Sequence, residues 1–266
     1  MIRLGTKSWE SVKYCGTLYD FETPVGEFLD IYASQYDSVE YMDSFTDVPS
    51  ERRVKALKER IEKINPNFQF CPMMPRRISH EFALGENKFD LKEFQENIQH
   101  LGPHLGPIIL RLPETFSPRE INTLLKFLKL WPADLKLSIH VTNGEWYKKM
   151  DGFNSLVKNI TGSKVSILIE DRIELPMDAG KLLTSDHLMV RFFGRPNLNQ
   201  DEDRLAMWVY KLGEYKGYGI KNPYFFLYEQ EEMCLSLLRK MAKSIGGNVR
   251  LPESFDVNSR QMGFSF

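Results

Sequence analysis

Phe68–His80 reads FQFCPMMPRRISH. It begins as an alternating apolar strand, meets Pro72, passes Met73 and Met74, and then delivers Arg76, Arg77 and His80 within five residues. A strand that stops in a turn and releases cationic side chains at its carboxyl end is how a parallel α/β sheet presents a binding site. The stretch therefore predicts βα units, and the chain on either side supplies more of them.

Before it, Ile2–Gly5 reads as a short apolar strand, and the following loop carries Lys7, Trp9 and Tyr14. Thr23-Pro24 opens a helix through Phe28, Ile31 and Tyr32, ending near Tyr36; proline suits a first helical turn. Ser38–Asp43 is a second strand with Glu40 embedded in it. Pro49-Ser50 starts an amphipathic helix with Val54, Leu57, Ile61 and Ile64 at spacings of three and four, and Asn65-Pro66-Asn67 ends it.

After it, Asp90–Leu101 reads as a helix with Asp90 as N-cap and Glu93 three residues on. Gly102, Pro103 and Gly106 break it before a strand at Pro107–Leu112. Ser117-Pro118-Arg119-Glu120 is a capping box that opens a helix to Trp131. Strands follow at Lys136–Val141, Val165–Ile169, His187–Phe192 and Pro223–Tyr228. Helices are predicted between and after them at Glu145–Ile160, Asp178–Leu183, Asn199–Tyr215 and Glu229–Ile245. Residues Gly246–Phe266 read as a tail packed back through Phe255, Phe264 and Phe266.

Eight strands, each followed by a helix, leave an open doubly wound sheet or a closed barrel. The number eight and the absence of G-x-G-x-x-G or a Walker A motif after any strand favour the barrel. Its length of 266 residues is what one such barrel needs, and no linker interrupts it. The fold class is α/β, a single (βα)8 TIM barrel spanning 1–266 as one domain. Its chemistry is expected on the loops after the strands.

Thirty-five basic and 36 acidic residues nearly cancel, so no global field draws the chain onto nucleic acid or an anionic membrane. Any anion preference must be local. Cys15, Cys71 and Cys234 are sparse and form no C-x-x-C, which argues for reduced thiols and against a disulfide scaffold or structural zinc. With no secretory h-region and no apolar run of about 18 residues, the expectation is a cytoplasmic protein without a membrane partner.

The chain resembles the YecE-like family, domain of unknown function 72, over nearly its whole length. The resemblance rests on Gly5-Thr6 with Trp9, on Tyr36, Val39-Glu40, Ser44-Phe45 and Pro49, and on Phe70-Cys71-Pro72 with Pro75-Arg76-Arg77-Ile78-Ser79-His80. Leu101-Gly102, Leu105-Gly106-Pro107-Ile108, Leu112-Pro113 with Phe116, and Val190-Arg191 with Gly194-Arg195 complete it. It implies a (βα)8 barrel and no established activity. Three departures fall at site positions: Arg111 where the family usually shows glutamine, Ser138-Ile139-His140-Val141 for an acidic–aromatic–Arg–His run, and Tyr228-Glu229 for an asparagine pair. The resemblance therefore carries the fold and no reaction.

Arg111 and Arg191 lie inside otherwise apolar strands, where a lone charge needs a partner. Two readings stand together: internal ion pairs with Glu40 or Asp171, and guanidiniums facing a ligand carboxylate or phosphate. One arginine of the Arg76-Arg77 pair is expected in the site, with Arg76 the candidate. His80 serves as acid or base, or bonds locally. Arg195 follows strand seven beside Gly194, where barrels often cradle phosphate. Trp9, Tyr14 and Tyr19 either stack on a ligand ring or plug the barrel end.

The candidate catalytic residues are thus Glu40, Asp171 and His80, with Arg76, Arg111, His140, Arg191, Arg195, Trp9 and Glu229 as ligand contacts. The expected partner is a small phosphorylated or carboxylated ligand, and a hydrolase or lyase is compatible with the set. No cofactor is identified. Glu40, His80, His140, Asp171 and Glu229 form a mixed set for a divalent metal if they converge, which frames a metal-dependent phosphodiesterase on nucleic acid as one alternative. A non-catalytic binding barrel is the other. Nucleophilic catalysis lacks a G-x-S-x-G, and Cys71 reads as core.

Overall fold

The computed structural model describes residues 1–81, 84, 88–148, 150–171, 182–195, 198–229, 231–240 and 250–251. Eight parallel strands form one sheet: β1 (Arg3–Thr6), β2 (Ser38–Tyr41), β3 (Gln69–Pro72), β4 (Ile108–Arg111), β5 (Leu137–His140), β6 (Val165–Asp171), β7 (His187–Phe193) and β8 (Asn222–Tyr228). Their order is β3-β2-β1-β8-β7-β6-β5-β4. The two ends of that order meet. Gly106 N donates to Phe70 O at 2.7 Å, and Met74 N donates to Ile109 O at 2.8 Å, which ties β3 to β4 and closes the ring. Closure satisfies the backbone groups that an open edge would leave unpaired. A Cβ on Gly106 would stand 2.7 Å from Cys71 Sγ and 3.0 Å from Phe70 O, so this seam requires glycine.

The helices are α1 (Phe28–Gln35), α2 (Asp43–Thr46), α3 (Glu51–Glu62), α4 (Lys88–Gln99), α5 (Ile121–Leu130), α6 (Glu145–Lys148), α7 (Met150–Ile160), α8 (Leu198–Tyr215) and α9 (Glu231–Lys240). Ser50 caps α3 by accepting from Arg53 N, and Val54 and Ile61 on its apolar stripe are fully buried. The capping box at Ser117 forms, and α5 runs on from its 3-10 turn. Asp90, expected as an N-cap, lies within the first turn of α4, because that helix begins two residues earlier. The long helix expected over Glu145–Ile160 is two pieces, α6 and α7. The stretch expected as a helix at 178–183 falls mostly outside the described residues, as does the C-terminal tail.

Strand alternation builds two cores. Val39, Phe70, Leu110, Ile139, Ile167, Ile169, Val190 and Phe192 point outward into the layer beneath the helices. Cys71, Met73, Ile109, Leu168, Met189, Tyr224 and Phe226 point inward and fill the barrel. Because side chains alternate strictly along a strand, the inward set continues to Arg111, His140, Glu170, Arg191 and Tyr228 at the carboxyl ends. The last inward layer is thus polar and floors the site, while Ser138, Ser166 and His187 form a smaller buried polar cluster lower in the barrel. Among the described residues no helix is long and apolar enough to cross a membrane.

Candidate functional site

At the carboxyl-terminal mouth lies a cavity of about 590 Å³. Arg111, His140, Glu170, Arg191 and Tyr228 come from β4 to β8 in turn, Lys7 from the loop after β1, and Met42 and Met73 form an apolar wall after β2 and β3. All eight βα units thus contribute, as expected for a barrel whose site is built from strand ends.

Arg191 is the hub. Its Nε and Nη2 donate to Glu40 Oε1 and Oε2, both at 2.8 Å, in a bidentate fork. Its Nη1 donates to His140 Nδ1 at 3.0 Å and stands 3.5 Å from Glu170 Oε1. Tyr228 donates its hydroxyl to Glu40 Oε2 at 2.6 Å, and the guanidinium carbon sits 5.2 Å from the centre of the Tyr228 ring. Burial pulls the Arg191 pKa down, but the Glu40 carboxylate more than offsets it, and the net shift is upward. Burial, reinforced by the Glu40 charge, lifts the Tyr228 phenol well above its ordinary value and keeps it a neutral donor.

The same contacts set the state of His140. A guanidinium has donors and no acceptor, so His140 Nδ1 must present its lone pair and the ring proton sits on Nε2. Burial pushes the His140 pKa down, which agrees with a neutral ring. Nε2 lies 3.0 Å from Glu170 Oε1, meeting the distance of a hydrogen bond but off its ideal direction.

Arg111 differs from Arg191. It sits beside His140 in the β4–β5 register, lines the cavity, and its buried Nε has no hydrogen-bond partner among the described residues. An unmatched buried donor is expensive, and a ligand is one thing that supplies the match.

The other expected site residues are distributed as follows. Asp171 accepts from Trp208 Nε1 at 2.7 Å and lies 3.2 Å from Arg204 Nη2, so it faces α8 outside the barrel. The reason is parity: Glu170 pairs in register with inward Arg191, which turns its neighbour outward. His80 sits in the π-helical turn Arg77–Glu81, 2.8 Å from Ser79 Oγ and edge-on to Phe45. Its pKa is lowered by burial and then by the Arg111 and Arg76 charges. It does not line the cavity. Arg76 is exposed, 3.7 Å from Glu81, and Arg77 lies 3.3 Å from Asp90. Arg195 lies outside the lining, with its backbone N–H on Asp201.

Trp9 is buried, stacked on Tyr41 and set edge-on to Phe70, and Tyr14 and Tyr19 are buried beside it. These aromatics lie in the outer core between strands and helices, with Tyr19 stacked on Phe28 of α1, and Trp9 does not line the cavity. Glu229 lines the cavity as an exposed residue with φ of 55°. The structure thus brings Glu40, Arg111, His140, Arg191 and Glu229 to the mouth. Tyr228, flagged only as a departure from the family pattern, joins them, as do Lys7 and Glu170, which were not foreseen; for Glu170 the two-residue period through Leu168 was the available signal. Among the described residues no group of three or more His, Cys, Asp or Glu is arranged to hold a metal ion.

The model of the family described as "Protein of unknown function DUF72" matches residues 3–258. The chain belongs to the DUF72 family. This DUF72 barrel is 25% identical over 253 residues to the Escherichia coli protein named UPF0759 protein YecE, covering 85% of this chain and 90% of that one. Among solved structures, a DUF72 family protein from Enterococcus faecalis superposes with a TM-score of 0.70 at 19% identity, over 96% of this chain and 100% of the other. One from Thermotoga maritima gives 0.69 at 18% identity, over 92% and 99%. A D-psicose 3-epimerase from Clostridium cellulolyticum, solved with D-tagatose, gives 0.57 at 10% identity, over 92% and 99%. At these identities the solved structures show a shared barrel fold.

Proposed function

We propose that this DUF72 barrel binds a small anionic ligand, a carboxylate or phosphate, in the cavity at its carboxyl-terminal mouth. The single observation that carries this reading is Arg111: a guanidinium aimed into the cavity, with a buried Nε that nothing described in the protein satisfies. Lys7 adds a second positive charge at the same opening. Arg191 is not the anchor, because Glu40 already occupies two of its three nitrogens. Hydrolytic or eliminative chemistry is compatible with a histidine and a carboxylate beside that anchor. The phosphodiesterase reading gains no comparable support, since the described carboxylates and histidines do not group as metal ligands.

The test is thermal melting with inorganic phosphate, sulfate, citrate and small sugar phosphates, on the wild type and on Arg111→Ala. Protection of the wild type and not of the variant is expected. Equal protection of both, or of neither, overturns the reading. A protecting compound that the protein never turns over would make the barrel a binding protein.

A further inference from the structure

The mouth holds several carboxylates, and their surroundings sort them. Glu40 is fully buried, with both oxygens engaged by Arg191 and one also by Tyr228. It has no room to accept a proton from a ligand. Asp171 faces away. Glu114 and Glu229 lie on the exposed rim. Glu170 is the inward carboxylate that still reaches the cavity, its side chain 16% exposed. The neutral His140 ring faces its Oε1, and Arg191 Nη1 stands behind the same oxygen.

We propose that Glu170 is a catalytic base, that His140 is a positioning residue holding it, and that the substrate is a small 2-oxo acid whose carboxylate sits on Arg111. This deepens the anion-binding reading above and rests on it. Arg111 and His140 are register partners on neighbouring strands, which lie about 4.8 Å apart. Arg111, His140 and Glu170 line the cavity from three successive strands, so a small acid held by its carboxylate on Arg111 extends across His140 toward Glu170. In a 2-oxo acid the carbon two bonds from the carboxylate carries acidic hydrogens. Glu170 takes one of these protons. The C–H electron pair moves into the C2–C3 bond, and the carbonyl pair moves onto oxygen as an enolate. The Arg111 guanidinium, holding the adjoining carboxylate, offsets that charge. Return of the proton closes the cycle, so nothing is oxidised or reduced and no co-reactant is consumed.

The experiment places pyruvate, 2-oxobutyrate and 2-oxoglutarate with the protein in D2O and follows loss of the C3 proton signal by NMR, with thermal melting on the same compounds. The wild type is expected to be protected by at least one of them and to speed its exchange. Glu170→Gln is expected to keep the protection and lose about a hundredfold in exchange or more. Glu170→Asp, which keeps the charge, covers the case in which the glutamine variant fails to fold, and should retain part of the rate. His140→Ala should slow the exchange while leaving protection by the same compound unchanged, because the carboxylate loses the ring 3.0 Å from its Oε1, and His140→Gln should restore part of the rate. Protection without exchange, or Glu170→Gln exchanging at the wild-type rate, overturns the base and leaves the anion site standing. Arg111-dependent protection by phosphate or citrate alone overturns the 2-oxo acid. Protection by no anion at all removes both readings together.

Discussion

Arg191 on β7 and Glu40 on β2, 151 positions apart in sequence, are joined by two parallel 2.8 Å bonds inside the barrel mouth. The pair is closed off from water, with side-chain exposures of 5% and 0%. It serves as a scaffold for its neighbours, because the guanidinium that grips Glu40 also fixes the tautomer of His140 and backs Glu170.

Breaking one half of that pair leaves the other half as a buried, uncompensated charge. Glu40→Ala is expected to lower unfolding free energy by about 3–5 kcal/mol. Glu40→Leu combined with Arg191→Met should recover much of it, since two apolar side chains need no partners. Urea denaturation of the two variants decides the matter; a Glu40→Ala variant as stable as wild type would show that water reaches the pair.

Arg111 predicts the reverse pattern. Its Nε is buried without a partner among the described residues. Arg111→Met keeps the stem and removes the unmatched donor, a change that relieves about 1–3 kcal/mol if the group is dry. The variant should therefore be as stable as wild type or more so, while anion protection disappears. A loss of several kcal/mol with protection intact would reveal an internal partner for Arg111 and defeat its role as anchor.

The barrel was legible in the sequence because its evidence is repetitive: apolar strands recur eight times, with helical patterns and turn residues between them. β3 ended at Pro72 as read, and the capping box at Ser117 formed as read. The mouth was legible only where a residue type was out of place. Arginine in an apolar strand flagged Arg111 and Arg191, and Glu40 followed with Asp171 as the two acids at other strand ends that could pair with them. Glu170 and Asp171 are adjacent acids at one strand end, and nothing local separates them; inward parity does, and it depends on the register of β6 against β7. His80, Arg76 and Arg195 belong to loops, whose course is set by packing that no short motif encodes.

The buried histidines predict a definite response to acid. His187 is held between Ser166 and Ser185, near Lys136 and Asp186, and burial, then the Lys136 charge, lowers its pKa to about 4. His140 is lowered in the same direction, by burial first. In the unfolded chain both titrate near about 6.5, so below that pH the unfolded state binds protons that the folded state refuses. Stability should be full above about pH 6.5 and fall as pH drops toward 4, with His187 contributing on the order of 3 kcal/mol. Urea midpoints at several pH values test this, and His187→Gln should flatten the curve. A wild-type curve already flat across that window would mean that water solvates these rings.

Gly5 predicts how tightly the ring is drawn. It pairs with Ser38 across β1 and β2, and a Cβ there would stand 2.3 Å from Ser38 O and 2.9 Å from a ring carbon of Phe226. The first of these is backbone, so the clash cannot be relieved by rotating a side chain; the two strands must part, and Phe226 inside the barrel must shift with them. Gly5→Ala should lose more than about 4 kcal/mol, the range reserved for broken cores and strained backbone. Gly213→Ala, in α8 with nothing within 4 Å of the added carbon, is the matching control and should gain about 0.4–1 kcal/mol from reduced unfolded-state freedom. Denaturation of the two variants side by side separates a general intolerance of substitution from a clash at the β1–β2 seam. If both alanines were tolerated alike, β1 and β2 would have to sit farther apart than their register allows.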